Sequence, residues 1–316
     1  MNIPLGYLEI DRILGGGPAV PALSDAIVLG MPHLCLGGLS ETWLLRECGH
    51  RHWFLLAQAT GRTVPDFRDD KGDPIYAAFI DVAVREARFE AAREHDTLEF
   101  RSRLTRISRT RFISVHEIAV RGRLLGEVVM TSLFVKRLEA GRNRSIARVE
   151  VPSLPPIASS REFADYEETM AALRRDKWKA HLGFVRTDAP VLDRLVIDPC
   201  PAQDFNGADF LYFSSFQAFV DRAEWAFFRP LDPRTTTRRR DIVYHGNIEP
   251  GDRIVILLRA VRRRVSTIDH WCTVERDSDA APLADIFTLR DAGWLRGGPA
   301  PPAAPGCAAE AKRPPA

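Results

Sequence analysis

The feature that most constrains this chain is a repeated order, a long apolar helix followed by several antiparallel strands, which occurs twice. In the first half, Ser40 to Thr60 (SETWLLRECGHRHWFLLAQAT) carries apolar residues at 43, 44, 45, 48 and 53 to 57, with Ser40 as an N-cap after two glycines. It reads as a buried helix interrupted near Gly49. Leu98 to Ile107, Phe112 to Val120 and Leu124 to Lys136 then alternate partly at period two and are rich in β-branched and aromatic residues, so three antiparallel strands are expected. The second half has a helix at Ser214 to Phe228 and strand-like runs at Asp241 to Asn247, Arg253 to Arg262, Thr267 to Val274 and Asp285 to Arg290. The approach to each helix is also alike. Leu34-Cys35-Leu36-Gly37-Gly38-Leu39 and Leu211-Tyr212-Phe213-Ser214-Ser215-Phe216 share an apolar triplet, two small residues and a further apolar position.

An apolar helix is buried only if another layer covers it. Antiparallel strands with one apolar face can wrap it while their outer face stays wet. The fold class expected is therefore α+β, a double hot-dog in which two helix-wrapped sheets form a pseudo-dimer within one chain and each loses an edge. The boundaries expected are an N-terminal unit over 1–150, a linker over 151–175, a C-terminal unit over 176–296 and a disordered Pro/Ala-rich tail over 297–316. At the entry to that linker, Glu150 to Ser160 (EVPSLPPIASS) reads as extended.

Composition narrows the partners. Lys and Arg number 44 against 42 Asp and Glu, so the formal charge is only +2, and nothing global points to nucleic acid or a membrane surface. With no apolar run long enough to span a bilayer and no basic-then-apolar start, a cytoplasmic location is expected. The five cysteines are odd in number and form no CxxC pair, which suggests reduced thiols. Cys48, His50 and His52 come nearest to a metal cluster, but no second ligand pair follows at metal spacing, so no metal is expected.

The stretch Gly30 to Gly49 (GMPHLCLGGLSETWLLRECG) followed by His52-Trp53 resembles the start of the LnmK-like family of double-hot-dog biosynthetic proteins. The likeness continues through Tyr76-Ala77-Ala78-Phe79, Phe210-Leu211-Tyr212-Phe213, Phe219-Val220-Asp221-Arg222-Ala223-Glu224-Trp225, Arg240-Asp241 and Tyr244-His245-Gly246-Asn247. The resemblance implies an enzyme of polyketide or hybrid peptide pathways. Such an enzyme moves the acyl group of methylmalonyl-CoA to the phosphopantetheine of an acyl carrier protein and decarboxylates it to a propionyl thioester. Acyl-CoA and a carrier protein are thus the expected partners, with no tightly bound cofactor. The resemblance also implies a tyrosine that carries acyl transfer, and Tyr76 matches its Tyr-x-x-Phe pattern.

A free tyrosine has a pKa near 10, so Tyr76 as nucleophile needs a cation, a base or donor hydrogen bonds; alternatively it donates to the thioester carbonyl. Decarboxylation leaves an enolate, which preorganised donors at a helix N-terminus would stabilise. Gly38 and Ser40 stand at such a terminus, and His33 beside it is a candidate proton donor. His245 and Asn247 are candidates to reach a pocket at the pseudo-dimer interface, and Arg240, in the run Arg238-Arg239-Arg240, to hold the phosphates of CoA or phosphopantetheine. Two alternatives remain open. One is another hot-dog chemistry, hydrolysis with Glu41, Asp221 or Glu224, or dehydration with His245; the other is a non-catalytic carrier-binding module.

Overall fold

The computed structural model describes residues 21–291 apart from 152–153, 155, 158–160, 187–189 and 230–231, so the tail expected over 297–316 lies outside the described residues. Helix α1 (Glu41–Ala59) begins where Ser40 predicts, with the Ser40 hydroxyl accepting from the Trp43 amide at 3.4 Å. The interruption expected at Gly49 is absent. A Cβ at this position would stand 2.8 Å from the Phe213 ring, so the glycine permits a close side-chain approach within an unbroken helix.

Strands β1 (Ala22–Val28), β2 (Pro74–Arg85), β3 (Thr97–Arg106), β4 (Arg111–Val120) and β5 (Arg123–Arg137) wrap α1. After helix α2 (Ala164–Arg174), a second set wraps helix α3 (Phe213–Phe227): β6 (Asp193–Ile197), β7 (Thr236–Tyr244), β8 (Ile254–Arg263), β9 (Thr267–Arg276) and β10 (Pro282–Asp291). All neighbours are antiparallel in the order β1-β3-β4-β5-β2-β7-β10-β9-β8-β6, and the short strands Phe67–Arg68 and Ile146–Arg148 on β2 and β5 complete a twelve-stranded sheet. The two halves meet at β2 and β7. Their pairing runs only from Arg240 opposite Val84 to Val243 opposite Asp81. Beyond a bulge between Phe79 and Asp81, residues Tyr76 to Phe79 pair with β5 alone, which leaves a gap at one end of the seam.

On the inner face, Val82, Val84, Val128 and Met130 pack with Leu44, Leu45 and Cys48 of α1 and Phe216, Phe219 and Val220 of α3 in one core. The outer face differs from expectation, because near the seam it is dry. Ala83, Ile113, Val115, Val129, Val243, Trp271 and Phe287 are covered by Phe163, Tyr166, Met170 and Leu173 from the α2 region and by Trp178 and Phe184. The physical reason lies in strands such as β5, whose largely apolar Val128 to Val135 run is buried on both faces and so demands cover on both. Two buried carboxylates on the seam fasten this cover. The Tyr166 hydroxyl donates to Asp81 at 2.7 Å beside Arg174, and His181 Nε2 lies 2.8 Å from Asp241.

Candidate active site

The gap at the seam opens into a cavity of about 360 Å³ lined by Gly49, His50 and Trp53 of α1, Tyr76 to Phe79 of β2, Val135, Ile146, Asn206, Ala208 and Phe210 to Phe213 on the approach to α3, Phe216, and Tyr244, Gly246 and Asn247. Three segments form its mouth, and a buried asparagine joins them. Asn143 Nδ2 donates to the carbonyls of Asp209 at 2.6 Å and Ile248 at 2.9 Å, while its Oδ1 accepts from Arg137 at 2.7 Å. Arg137 also donates to the Ala208 carbonyl at 2.7 Å and lies over the Phe210 ring. Within the 206–211 loop, Asn206 Oδ1 accepts from the amides of Ala208 and Phe210, a turn-forming use of asparagine.

Tyr76 and Asn247, the first-half and second-half candidates, therefore meet in one cavity. Asn247 serves the backbone, its Oδ1 accepting from the Leu211 amide at 3.1 Å and its Nδ2 donating to the Leu211 carbonyl at 3.3 Å. Tyr76 is half-buried, packs edge-to-face on Phe210 at 5.4 Å, and its hydroxyl has no hydrogen-bond partner among the described residues. The first turn of α3 faces the same space. Tyr212 is its N-cap but no side chain caps it, so the helix start, where Tyr212 and Phe213 line the cavity, keeps its unmatched positive character. His50 is exposed at the rim, and the remaining lining is chiefly aromatic and aliphatic, with no Asp, Glu, Arg or Lys. Burial raises the Tyr212 hydroxyl above the usual tyrosine range, and does so strongly for Tyr244, whose hydroxyl donates to the Phe213 carbonyl at 3.1 Å.

The other sequence candidates lie elsewhere. Ser40 caps α1, and His33 accepts from the Gly30 amide at 2.8 Å with its ring against Trp43. Gly38 has φ of +111°, a conformation natural to glycine, and a side chain there would strike the Phe89 backbone. Gly38 instead borders a separate surface hollow of about 390 Å³. The start of α1 is capped by Ser40, whereas the start of α3 carries no side-chain cap. His245 pairs with Asp285 at 2.8 Å and does not line the cavity.

Arg240, expected on phosphates, is wholly buried in an ion cluster. It pairs with Glu41 at 2.8 Å and Asp221 at 2.7 Å and lies 3.6 Å from Glu224, which is held in turn by Arg290 and by His270 at 2.7 Å. Burial raises the Glu41 carboxyl above its usual range despite Arg240. At Glu224 burial acts the same way but Arg290 and His270 outweigh it, keeping the carboxylate ionised. The carboxylates considered for hydrolysis are thus committed to this cluster. Cys48 and His52, adjacent on one helical face, hold no metal arrangement either, since both ring nitrogens of buried His52 lie 2.7 Å from serine hydroxyls, Ser114 and Ser132.

The cluster occupies the counterpart of the cavity. Counted from the first helical residues, Glu41 and Phe213, position Gly49 of α1 corresponds to Asp221 of α3 and His52 to Glu224. At one end of the pair of helices Gly49 and Phe213 border open space; at the other Asp221 and Glu41 close on Arg240.

Among solved structures the chain is similar to a 12:0-ACP thioesterase from Umbellularia californica, at 9% identity over 86% of this chain and 94% of that one, with a TM-score of 0.60. It is also similar to an acyl-ACP thioesterase from Bacteroides thetaiotaomicron VPI-5482, at 9% identity over 86% and 98%, with a TM-score of 0.55. The fold is a double hot dog. At this identity the likeness carries the fold alone, so the chemistry of this double hot dog rests on its own cavity. No protein-family model matches the chain, and no curated protein matches it in sequence. Among the described residues, no helix is long and apolar enough to cross a membrane.

Proposed function

We propose that this protein cleaves an acyl thioester in the seam cavity. The observation that carries the reading is the convergence, in one apolar space, of a tyrosine hydroxyl without a partner among the described residues and a helix start with no side-chain cap. The acyl group lies against Phe79, Phe213, Phe216 and Val135, and its carbonyl oxygen accepts from Tyr76 and the first amides of α3. These donors stabilise the oxyanion that forms when water adds to the carbonyl carbon. His50 takes the proton from that water; as the C–S bond breaks, the proton passes to the leaving thiolate. The products are a free acid and a free thiol. The acyl-ACP thioesterases that share the fold support hydrolysis as the leading reaction.

A second reading follows from the lack of any Lys, Arg, Asp or Glu in the lining. A malonyl-type carboxylate placed there has no cation to hold it, a setting that favours loss of CO2, and the same donors would stabilise the resulting enolate. Transfer of the acyl group to a carrier thiol with decarboxylation, the activity implied by the LnmK-like resemblance, would use the cavity in this way.

The test is mass spectrometry of wild type and Tyr76→Phe incubated with straight-chain acyl-CoAs and with methylmalonyl-CoA, each with and without a holo acyl carrier protein. Hydrolysis predicts free acid and CoA without the carrier, reduced about 10²- to 10³-fold in Tyr76→Phe, as for loss of one oxyanion donor. A propionyl-sized gain on the carrier from methylmalonyl-CoA selects the second reading. No turnover of any thioester overturns both and leaves a binding module.

A further inference from the structure

The turn that follows β5 and returns as the short strand Ile146–Arg148 forms one wall of the cavity mouth. Residues 137–148 hold four arginines and one glutamate, a charge of +3 in a chain whose total is +2. They also present two aliphatic side chains to solvent, Leu138 at 61% exposure and Ile146 at 42%, and Ile146 lines the cavity as well. Among the described residues Arg142 pairs only with exposed Glu139, and Arg144 sits 3.5 Å from Glu249. Arg148 is exposed and has no hydrogen-bond or ion-pair partner among the described residues. In register it stands opposite Val135, which stands opposite Tyr76, so the three face the same side of the sheet with Arg148 two strands, or about 10 Å, from Tyr76.

This wall is rigid. Asn143 at its tip is 1% exposed, reaches the carbonyls of Asp209 and Ile248, and donates its own amide to Glu249 at 3.0 Å, so the turn is bolted to both other segments of the mouth. A fixed platform with an aliphatic centre and an arginine rim has the anatomy of a protein-binding surface. Because it is continuous with the cavity, whatever docks there can place a flexible arm at Tyr76.

We infer that residues 138–148 dock an acidic acyl carrier protein, whose negatively charged helical face meets Arg142, Arg144 and Arg148 while its thioester arm enters the seam cavity. This rests on the acyl-thioester reading of the cavity. The charge complementarity would act chiefly on association and register, and so on salt dependence.

The experiment compares wild type with the double variant Arg142→Glu/Arg148→Glu, which leaves Asn143 and Glu249 in place. Affinity for an acylated carrier protein is measured by fluorescence anisotropy at low and at 0.5 M salt, beside kcat/KM for the same acyl group on CoA. The expected result is a carrier affinity at least tenfold weaker in the variant, a smaller difference at high salt, and a CoA kcat/KM within twofold of wild type. If carrier affinity is unchanged in the variant, or if wild type binds the acyl carrier no better than the acyl-pantetheine arm alone, the docking surface is overturned. An equal loss for carrier and CoA also overturns it, since the arginines would then serve the arm. Arg148→Ala, which removes a group with no partner among the described residues, should weaken carrier binding about threefold without altering the melting temperature, and guards against a folding defect in the double variant. Carrier binding that depends on these arginines in a protein without turnover would sustain the surface while the cleavage reading fails.

Discussion

Replacing Arg240 with methionine removes a wholly buried cation and leaves three carboxylates to be accounted for. Glu224 keeps Arg290 and His270, and the side chain of Asp221 is 33% exposed, so both have other compensation. Glu41 keeps only the Thr237 hydroxyl, 2.6 Å away, and carries most of the cost. Breaking a buried pair by removing one partner typically destabilises by about 3–5 kcal/mol, and that is expected at pH 8. Glu41 can relieve it by taking up a proton, to which burial already inclines it. In the variant the folded carboxyl then binds a proton that the unfolded chain releases near pH 4.3, so this relief is present at low pH and is lost as pH rises through the folded value. One proton corresponds to about 1.4 kcal/mol per pH unit, so the penalty at pH 6 should be smaller than at pH 8 by up to about 2.7 kcal/mol. Urea denaturation of wild type, Arg240→Met, Glu41→Gln and the double variant at both pH values tests this as a double-mutant cycle, and the double variant should recover at least half of the loss. A penalty below about 1 kcal/mol, or one equal at the two pH values, would refute the reasoning. A raised KM for acyl-CoA with unchanged stability would return Arg240 to the substrate.

In Gly49→Ala the new methyl meets the Phe213 ring at 2.8 and 2.9 Å, and overpacking of about 1–3 kcal/mol is offset in part by helix propensity worth about 0.5–1 kcal/mol. Phe213 is then pushed toward the cavity, so KM should rise with acyl length in a chain-length series while the shortest thioesters are spared. Asn143→Ala leaves the buried carbonyl of Ile248 unmet and removes the donor to the Asp209 carbonyl, which should cost about 1–3 kcal/mol in denaturant unfolding and speed proteolytic nicking of the 206–211 loop. Burial pushes the His52 imidazole down to about 3, so its ring should remain neutral at pH 5 by nitrogen NMR, whereas a titration near pH 6 would contradict its burial. Because the unfolded imidazole binds a proton below about pH 6.5 and the folded one does not, His52's contribution to stability is lost as pH falls through that range.

The two helix-and-strand units were legible because their strongest segments follow simple periods. Leu98 to Ile107 and Phe112 to Val120 lie within one residue of β3 and β4, and Ser40 marks the start of α1. Strands β1 and β6 escaped notice because ALSDAIV and DRLVI are short and sit at the sheet edges, where polar residues are tolerated. The dry outer face was hidden for a related reason: a strand that is apolar on both sides has no alternation to read. At the site, Tyr76 and Asn247 could be singled out, but their meeting depends on where β2 and β7 stop pairing, which no local pattern records. Arg240 misled because a run of arginines reads as surface, whereas alternation along β7 turns this one inward. His50 was visible only as a poor metal ligand, and Asn143 gave no signal because its value lies in reaching two loops that come far later in the chain.

Two identical units related by a twofold axis would have to carry the same furniture at both ends of their helix pair. Fusing the halves into one chain lifts that obligation, and the exchange of Gly49 for Asp221 and of Phe213 for Glu41 shows it lifted here. One end is free to keep a hollow, with the loss of packing that a hollow entails, while the other is sealed by an interlocked set of charges that holds the helices in place. The broken symmetry thus divides the interior between the ends: the seam cavity at one, an interlocked charge cluster at the other.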